Sequence, residues 1–401
     1  MKNKKIKILK KQVQGITLIA LVVTIVLLIL VGVAINLTVG DNGLFKRAQN
    51  AADTYQDASE REAIELALAG MQIGSMQETG MTKAELENSL KEQFWDEASV
   101  EENEDGSFIV TIGENKYYIG DDGGIIDSSN MVEISSVEEL KAFRDDVNSG
   151  NTYEGKYVYL TNDITLDSNE EWEPIGYIAS DTDIQNPIIE TSKPFKGIFD
   201  GNNNKIENLK ITSTVNRYNS LFGFVVEGTL KNVIIGKNSK ISGNVGAGIV
   251  GYLYGLKGDI INCINYANTN IGGIAVLITG KHKIYGCKNY GDVSGSKNVG
   301  GIVGGCNGVI LDSYNISNVN GKHRVGGIVG TTSNKIINCY SLGEINATDN
   351  MKGDIVAYIY GSGKIENCYG KNDAFNNTSL SINFKEDIDN SNNGSPILVW
   401  E

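Results

Sequence analysis

The sequence predicts a mainly β protein, a parallel β-helix (solenoid) preceded by an N-terminal transmembrane helix and a small α/β module. Three features indicate this: motifs that recur from residue 131 onward, 47 glycines against 4 prolines, and a long apolar segment near the N-terminus. Much glycine with little proline suits short strands and tight turns. The expected segments are 1–15 (charged leader), 16–39 (membrane helix), 40–130 (α/β module), 131–375 (β-helix) and 376–401 (C-terminal tail).

Residues 16–39 form a continuous apolar stretch without a charged side chain. As an α-helix it would be about 36 Å long, enough to cross a hydrocarbon core of about 30 Å. Six lysines precede it near the start of the chain, and such positive charge stays on the cytoplasmic side. We therefore expect a cell-membrane anchor with the C-terminal region outside the cell.

The junction between the lysines and the apolar stretch is Gly15 followed by Ile-Thr-Leu-Ile. It resembles the processing site of type IV prepilins. The resemblance implies that a prepilin peptidase cuts after Gly15 and that Ile16 becomes the N-methylated mature terminus. The family carries Glu at the fifth mature position for filament assembly, whereas this chain has Ala20. Processing is therefore better supported than assembly with pilin-like subunits, and an uncleaved anchor is the alternative.

A small α/β module, similar in plan to a pilin head, is expected between residues 40 and 130. Residues 44–71 combine polar positions with a stripe of Ala and Leu, which predicts a helix. A second helix is predicted from Thr82, because Thr82 and Glu85 form a capping box. The segments 107–113 and 116–120 alternate apolar and polar residues, which indicates a β-hairpin.

Two motifs recur from residue 131 onward. One is glycine-rich, close to Gly-Gly-Ile-Val-Gly, at 245–251, 271–274, 299–304 and 325–330, with a degenerate copy near 353–356. The other is an apolar residue, any residue, Asn and a small apolar residue, in copies that begin at Ile206, Leu230, Ile260, Ile284, Ile310, Ile336 and Ile365. The near-constant spacing of these copies predicts a solenoid of seven or eight coils, each burying its apolar face against its neighbours.

The second motif has a structural interpretation. Its first residue is expected to point inward, its Asn to occupy a bend where stacked amides bond from coil to coil, and its last residue to point inward again. The glycine-rich motif resembles the GLUG repeat, and the lead-in to the solenoid is similar to that of proteins of this type. Ser136 and Glu139 form a capping box before a short helix that we expect to cap the first coil. The apolar residues Pro396–Trp400 are expected to cover the other end.

The cysteines and histidines give little indication of catalysis. All five cysteines lie in the repeats, four of them at the inward last position of the second motif. This favours a ladder of buried thiols, with a Cys263–Cys287 disulfide as the alternative. His282 and His323 belong to no metal-binding motif and are expected in exposed polar loops. We predict no metal, no cofactor and no enzymatic activity.

The alternative function is a polysaccharide-active enzyme, a lyase or glycoside hydrolase, on the β-helix scaffold. Such an enzyme needs carboxylates that work together in a groove. Asp259, Asp292 and Asp312 are the candidates, but they occupy unlike positions of different repeats.

Tyrosines recur at matching positions of successive repeats. Tyr314, Tyr340 and Tyr369 share one position, and Tyr266 and Tyr290 lie two positions later. Two interpretations remain open, cross-coil stacking that stabilises the surface and a binding surface for a glycan or protein.

The charge of the chain excludes one class of partner. Without the six leader lysines, 29 basic residues face 49 acidic ones, so nucleic acid is not an expected partner. The sequence therefore predicts a membrane-anchored, pilin-like cell-surface protein that displays a β-helix for adhesion or binding, or that acts as a minor-pilin-like component.

Overall fold

The computed structural model describes residues 56–68, 82–103, 106–120, 124–178, 191–214, 218–243 and 245–371, and the short strands Phe384–Lys385 and Ile397–Leu398. The leader, Gly15, Ile16, Ala20 and the apolar segment 16–39 lie outside these ranges. Within them, none of the helices combines the length and the apolar character that crossing a membrane requires. Two compact units are present: Met1–Val100 with Thr111–Asn115, and Glu101–Val110 with Lys116–Glu401.

The segment before the solenoid contains the predicted helices and hairpin. Residues 56–68 are helical, and a second helix spans Lys83–Phe94. Thr82 is confirmed as the N-cap of this helix, because its hydroxyl accepts a hydrogen bond from the backbone N–H of Glu85 at 3.4 Å and donates to the Glu85 carboxylate at 2.7 Å. One sheet contains, in order, the strands Ala98–Glu102, Phe108–Ile112, Asn115–Ile119 and Ile125–Asp127. Short 3₁₀ helices span Trp95–Glu97 and Ser128–Asn130.

The solenoid is a parallel β-helix of about eight turns, with three long sheets whose neighbouring strands are parallel. Sheet A contains Met131–Ile134, Tyr157–Leu160, Ile198–Asp200, Thr229–Lys231, Ile260–Ile261, Lys283–Tyr285, Val309–Leu311, Lys335–Ile337 and Lys364–Glu366. Sheet B contains Ile164–Thr165, Lys205–Glu207, Ile234–Ile235, Ile264–Asn265, Lys288–Asn289, Tyr314–Asn315, Tyr340–Ser341 and Tyr369–Gly370. Sheet C contains Phe222–Val226, Val250–Gly255, Ala275–Gly280, Val303–Cys306, Val329–Thr332 and Val356–Ile359.

Shorter sheets complete the coils. Three-stranded parallel sheets contain Val293–Ser294, Val319–Gly321 and Ile345–Ala347, and Lys297–Gly300, His323–Gly326 and Lys352–Gly353. Lys210–Ile211 pairs with Lys240–Ile241. In the tail, Phe384–Lys385 pairs antiparallel with Ile397–Leu398, and the rest of the predicted cap at Pro396–Trp400 lies outside the described residues.

The second repeat motif places its residues inward, at a bend and inward again, as predicted. Its first residue is fully buried in six copies: Ile206, Leu230, Ile260, Ile284, Ile310 and Ile336. Its third residue has φ between 48° and 60° in six copies: Asn208, Asn232, Asn262, Asp312, Asn338 and Asn367. The remaining copy has Gly286 there at φ 65°. Asn, Asp and Gly are the residues that adopt this left-handed conformation most readily, which explains the choice at this bend.

The predicted capping helix spans Val137–Ser149 and lies over the first coils. The hydroxyl of Ser136 accepts a hydrogen bond from the backbone N–H of Glu139 at 3.3 Å, which starts the helix. Leu140, Phe143 and Val147 are buried in the main core. The ring of Phe143 lies with its centroid 5.7, 5.8 and 6.5 Å from the centroids of three core phenylalanines, Phe195, Phe199 and Phe222.

Candidate functional site

A ladder of buried asparagines fixes the coils of sheet B relative to one another. The side-chain nitrogen of Asn265 donates to the side-chain oxygen of Asn289 at 2.8 Å, and Asn289 donates to Asn315 in the same way at 2.8 Å. Asn315 donates to the hydroxyl of Ser341 at 3.4 Å. All four side chains are buried. Buried amides are held in place by the hydrogen bonds that they donate and accept. The ladder therefore fixes the spacing of these coils, and with it the spacing of the side chains on their outer surface.

This ladder is not the one expected from the sequence, which placed stacked amides at the bend. The bend is confirmed, but the continuous chain of amides lies further along the coil, inside sheet B. A signal was present in the sequence. Asn recurs at this position in three successive repeats, each time directly before Tyr266, Tyr290 or Ile316.

Outside the ladder, the tyrosines form a row across successive coils. The rings of Tyr266 and Tyr290 are stacked, with centroids 4.7 Å apart and planes at 12°. Tyr314 and Tyr340 are stacked with centroids 4.6 Å apart and planes at 10°. The two pairs meet where the hydroxyls of Tyr290 and Tyr314 are 2.5 Å apart. Tyr369 pairs with Tyr340 in the next strand of sheet B and packs against this cluster.

The sequence offered Tyr314, Tyr340 and Tyr369 as a ligand-binding surface, and the burial of these three side chains can be compared with that interpretation. Tyr314 is 3% exposed and Tyr340 is 0% exposed, whereas Tyr369 is half-buried. A ligand needs an accessible ring face, so stacking between coils describes Tyr314 and Tyr340 better than a ligand platform does.

The buried row predicts a loss of stability at alkaline pH. Burial, with the hydroxyl of Tyr290 next to it, raises the pKa of Tyr314 above its usual value of 10.0. A group whose pKa is higher in the folded state stabilises fully below the unfolded pKa and loses that contribution as pH rises through the folded pKa. We expect the free energy of unfolding to fall above about pH 10, by up to about 1.4 kcal/mol per pH unit from Tyr314.

Urea unfolding between pH 8 and pH 11.5 measures this slope. Tyr314→Phe should flatten it, and Tyr177→Phe, at a 43% exposed tyrosine outside the row, should leave it unchanged. An unchanged slope in Tyr314→Phe would contradict the expectation.

A groove of about 480 Å³ opens where the row of tyrosines ends. Gly236 precedes Tyr266 by one coil in the register of sheet B, so the row does not continue there, and the carboxylate of Glu207 packs against Gly236. We call this cavity the lysine–tyrosine groove; it is lined by Lys237, Ser239, Lys240, Ile241, Ser242, Tyr266, Asn268, Tyr290 and Asp292. Its residues come from three successive coils.

Asn268 and Asp292 form a polar wall of the groove, and hydrogen bonds between coils hold both side chains. The side-chain oxygen of Asn268 accepts from the backbone N–H of Asp292 at 3.0 Å, and one carboxylate oxygen of Asp292 accepts from the backbone N–H of Asn318 at 2.9 Å. Asn318 in turn accepts from Glu344 at 3.0 Å. The exposed Asn268 and Asp292 thus keep a second polar atom, an amide nitrogen and a carboxylate oxygen, for a ligand.

Two lysines supply the positive charge of the groove. Lys237 and Lys240 are exposed, and neither forms an ion pair with another residue in the described ranges. Lys210 pairs with Lys240 in the strand register, yet its Nζ lies 3.3 Å from a carboxylate oxygen of Glu171. Glu171 therefore neutralises the charge of Lys210, whereas the charges of Lys237 and Lys240 have no paired carboxylate among the described residues.

The cysteines form the buried ladder that the sequence favoured. All five are free and buried, with Cys263, Cys287, Cys339 and Cys368 at the inward position after the bend. Burial raises the pKa of the Cys263 and Cys339 thiols well above the usual value, and that of Cys306 to about 12. Because the thiolate is the reactive form, these thiols act as small apolar side chains of the core.

The histidines occupy two different settings. The expected exposure of His282 is wrong: its side chain is 1% exposed, because the neighbouring coil covers it and the carbonyl of Gly258 lies 2.6 Å from its Nδ1. His323 is half-buried and bonds to the carboxylate of Asp349. This contact lowers the pKa of Asp349.

The three carboxylates considered for catalysis occupy different places in the coil. A side-chain oxygen of Asp259 accepts from the backbone N–H of Lys283 in the next coil at 2.7 Å. Asp312 sits at the bend with φ 48°, and burial raises its pKa. Asp292 lines the groove. All three thus help to join or turn the coils, and Asp292 also faces a cavity.

A buried lysine was missed by the sequence analysis. Lys231 follows an inward residue on sheet A, where the alternation of a strand points a side chain outward, but it is fully buried. Its Nζ lies 3.3 Å from Asp200, directly opposite it in the register, and donates to the hydroxyls of Ser107 at 3.0 Å and Tyr118 at 3.3 Å. Ser107 and Tyr118 precede the solenoid in the chain, so no pattern local to the repeat could indicate this contact.

The Asp200 carboxylate is also saturated with donors. It accepts from the hydroxyl of Tyr157 at 2.6 Å, the side-chain nitrogen of Asn232 at 3.0 Å and the backbone N–H of Asn202 at 2.7 Å. The Nζ of Lys231 also lies 4.6 Å from the ring centroid of Tyr118. A closed ion pair of this kind stabilises structure and leaves no group free for a substrate.

Comparison with known proteins adds one likeness in architecture. No family model matches the chain, and no curated protein matches it. Among solved structures, it is similar to a Bacteroides ovatus protein described as a candidate immunoglobulin A1 protease, with 21% sequence identity and a TM-score of 0.45. The match covers 68% of this chain and 94% of that one. A likeness at this level carries no information about activity.

Proposed function

We propose that this chain is a membrane-anchored, pilin-like cell-surface protein whose β-helix binds a glycan outside the cell. The lysine–tyrosine groove is the observation that carries the binding role. Aromatic rings beside polar groups of fixed orientation are the usual composition of a small-molecule or sugar site. The lysine-rich leader and the apolar segment 16–39 support anchoring and export, and Gly15 with Ile16 supports prepilin-type processing.

The composition of the groove supports binding rather than polysaccharide cleavage. Hydrolysis of a glycosidic bond uses two carboxyl groups, one on each side of the bond, and Asp292 is the one carboxylate among the lining residues. No group of three or more His, Cys, Asp or Glu side chains that could hold a metal ion exists in the part of the chain that the structure describes. The lining of the groove therefore does not supply the pair of carboxyl groups that the enzymatic alternative requires.

The test uses the full-length protein, purified in detergent and applied to an array of bacterial and host glycans. Binding by the wild type and at least about tenfold weaker binding by Tyr266→Ala are expected, because the variant removes a ring from the groove. Tyr177→Ala, at an exposed tyrosine outside the groove, is the matched control. Retained binding in Tyr266→Ala, or binding to no glycan of the array, would contradict the proposal, and release of reducing ends would favour the enzyme. Mass spectrometry of the same material should find N-methylated Ile16, and an intact leader would contradict the processing step.

A further inference from the structure

The lysine–tyrosine groove has an asymmetric distribution of charge. Lys237 and Lys240 contribute two positive charges, and Asp292 contributes one negative charge. The groove belongs to a chain with formal net charge −14, in which Lys210, the neighbour of Lys240, is already neutralised by Glu171 at 3.3 Å. Two lysines without an ion pair among the described residues leave a local positive site on an acidic protein.

The groove also repeats its polar groups along the axis of the solenoid. Asn268 and Asp292 hold equivalent places one coil apart, about 4.8 Å along the axis. The side chain of each accepts a hydrogen bond from a backbone N–H of the next coil. Such a wall presents the same kind of hydrogen-bonding group at each step. This suits a polymer with repeating hydroxyl groups better than a peptide, whose side chains vary from residue to residue.

The aromatic side of the groove consists of Tyr266 and Tyr290. The hydroxyl of Tyr290 is engaged by Tyr314 at 2.5 Å, whereas no residue in the described ranges bonds the hydroxyl of Tyr266. Tyr266 is half-buried and stacked on Tyr290, so its ring is held in place before any ligand arrives. A held ring loses little conformational freedom on binding.

We propose that the groove binds an acidic polysaccharide, with Lys237 and Lys240 contacting the carboxylates of its uronic-acid residues. Asn268, Asp292 and the hydroxyl of Tyr266 bind the sugar hydroxyls. This inference rests on the proposed glycan-binding function and specifies its ligand class. Charge-assisted hydrogen bonds from lysine to carboxylate are stronger than neutral ones, so the acid groups of the polymer decide the affinity.

The experiment compares polygalacturonate with its carboxyl-reduced, neutral form, using full-length protein in detergent and titration calorimetry. Wild-type protein should bind the acidic polymer at least about tenfold more tightly than the neutral one. The double variant Lys237→Gln/Lys240→Gln should lose that preference. Lys210→Gln is the matched control, because it removes a lysine that Glu171 already neutralises, and should bind within about twofold of wild type.

The outcomes separate this inference from the proposed function. Equal binding of acidic and neutral polymers, or an unchanged preference in the double variant, overturns the acidic-ligand assignment and leaves glycan binding intact. Binding of no glycan, on the array or in calorimetry, overturns both. Circular dichroism and the melting temperature of each variant check that the coils remain folded, and the exposed position of both lysines makes a folding defect an unexpected result.

Discussion

Replacing Lys231 by methionine is expected to lower the free energy of unfolding by about 3–5 kcal/mol, because a buried carboxylate then lacks its counter-charge. Asp200 is 3% exposed, so water cannot replace the lost ammonium group. The variant also removes the donor that bonds Ser107 at 3.0 Å and Tyr118 at 3.3 Å. Chemical denaturation followed by circular dichroism measures the loss.

Two further variants identify the cause of that loss. Adding Asp200→Asn to Lys231→Met should recover more than half of the stability, since the amide oxygen can still accept from Asn202 and Asn232 while no charge remains buried. Lys240→Met, at an exposed lysine without an ion pair among the described residues, should change the stability by less than about 0.5 kcal/mol. A Lys231→Met protein as stable as wild type would show that the ion pair contributes nothing to the fold.

Replacing Phe143 by alanine is expected to destabilise the first coils by about 3–5 kcal/mol, because it leaves a cavity under the capping helix. The side chain is 3% exposed and contacts the rings of Phe195, Phe199 and Phe222. In a solenoid, stability is transmitted from neighbour to neighbour. The damage should therefore be local to the cap.

Hydrogen exchange measured by mass spectrometry locates the effect. Exchange should accelerate in Met131–Ile134 and Tyr157–Leu160, which lie next to the capping helix in sequence and sheet order, and remain unchanged in Val329–Thr332. Glu138→Ala, at an exposed residue of the same helix, is the control and should show the wild-type pattern. A uniform acceleration across all coils would contradict a local cap and indicate a single cooperative unit.

The parts of the fold that were predictable depend on contacts repeated at a regular interval. The inward residues of the second motif, its left-handed bend and the buried cysteines all recur at matching positions of successive repeats, so each copy supports the interpretation of the others. The N-cap at Ser136 was predictable for a different reason. It joins residues that are close neighbours in the chain.

The features that were missed depend on partners far apart in the chain or on a side chain that is not there. Lys231 is buried by Ser107 and Tyr118, which lie in the segment before the solenoid. The groove is lined by residues of three successive coils, from Lys237 to Asp292, and no single repeat contains all of them. The burial of Tyr340 likewise follows from stacking on Tyr314 in the next coil, which residue type alone does not reveal.

The parallel register of sheets A, B and C has a mechanical consequence. Backbone hydrogen bonds between coils run along the solenoid axis, and in the C-terminal half they join each coil to the coils on either side. A pull applied at Tyr369–Gly370, the last strand of sheet B, would therefore detach that coil before loading the one beneath it. Each detached coil, of the length that separates Asn289 from Asn315 in register, would release up to about 90 Å of chain. Such a solenoid lengthens in steps under tension, because the outer coils extend while the coils beneath them keep their register.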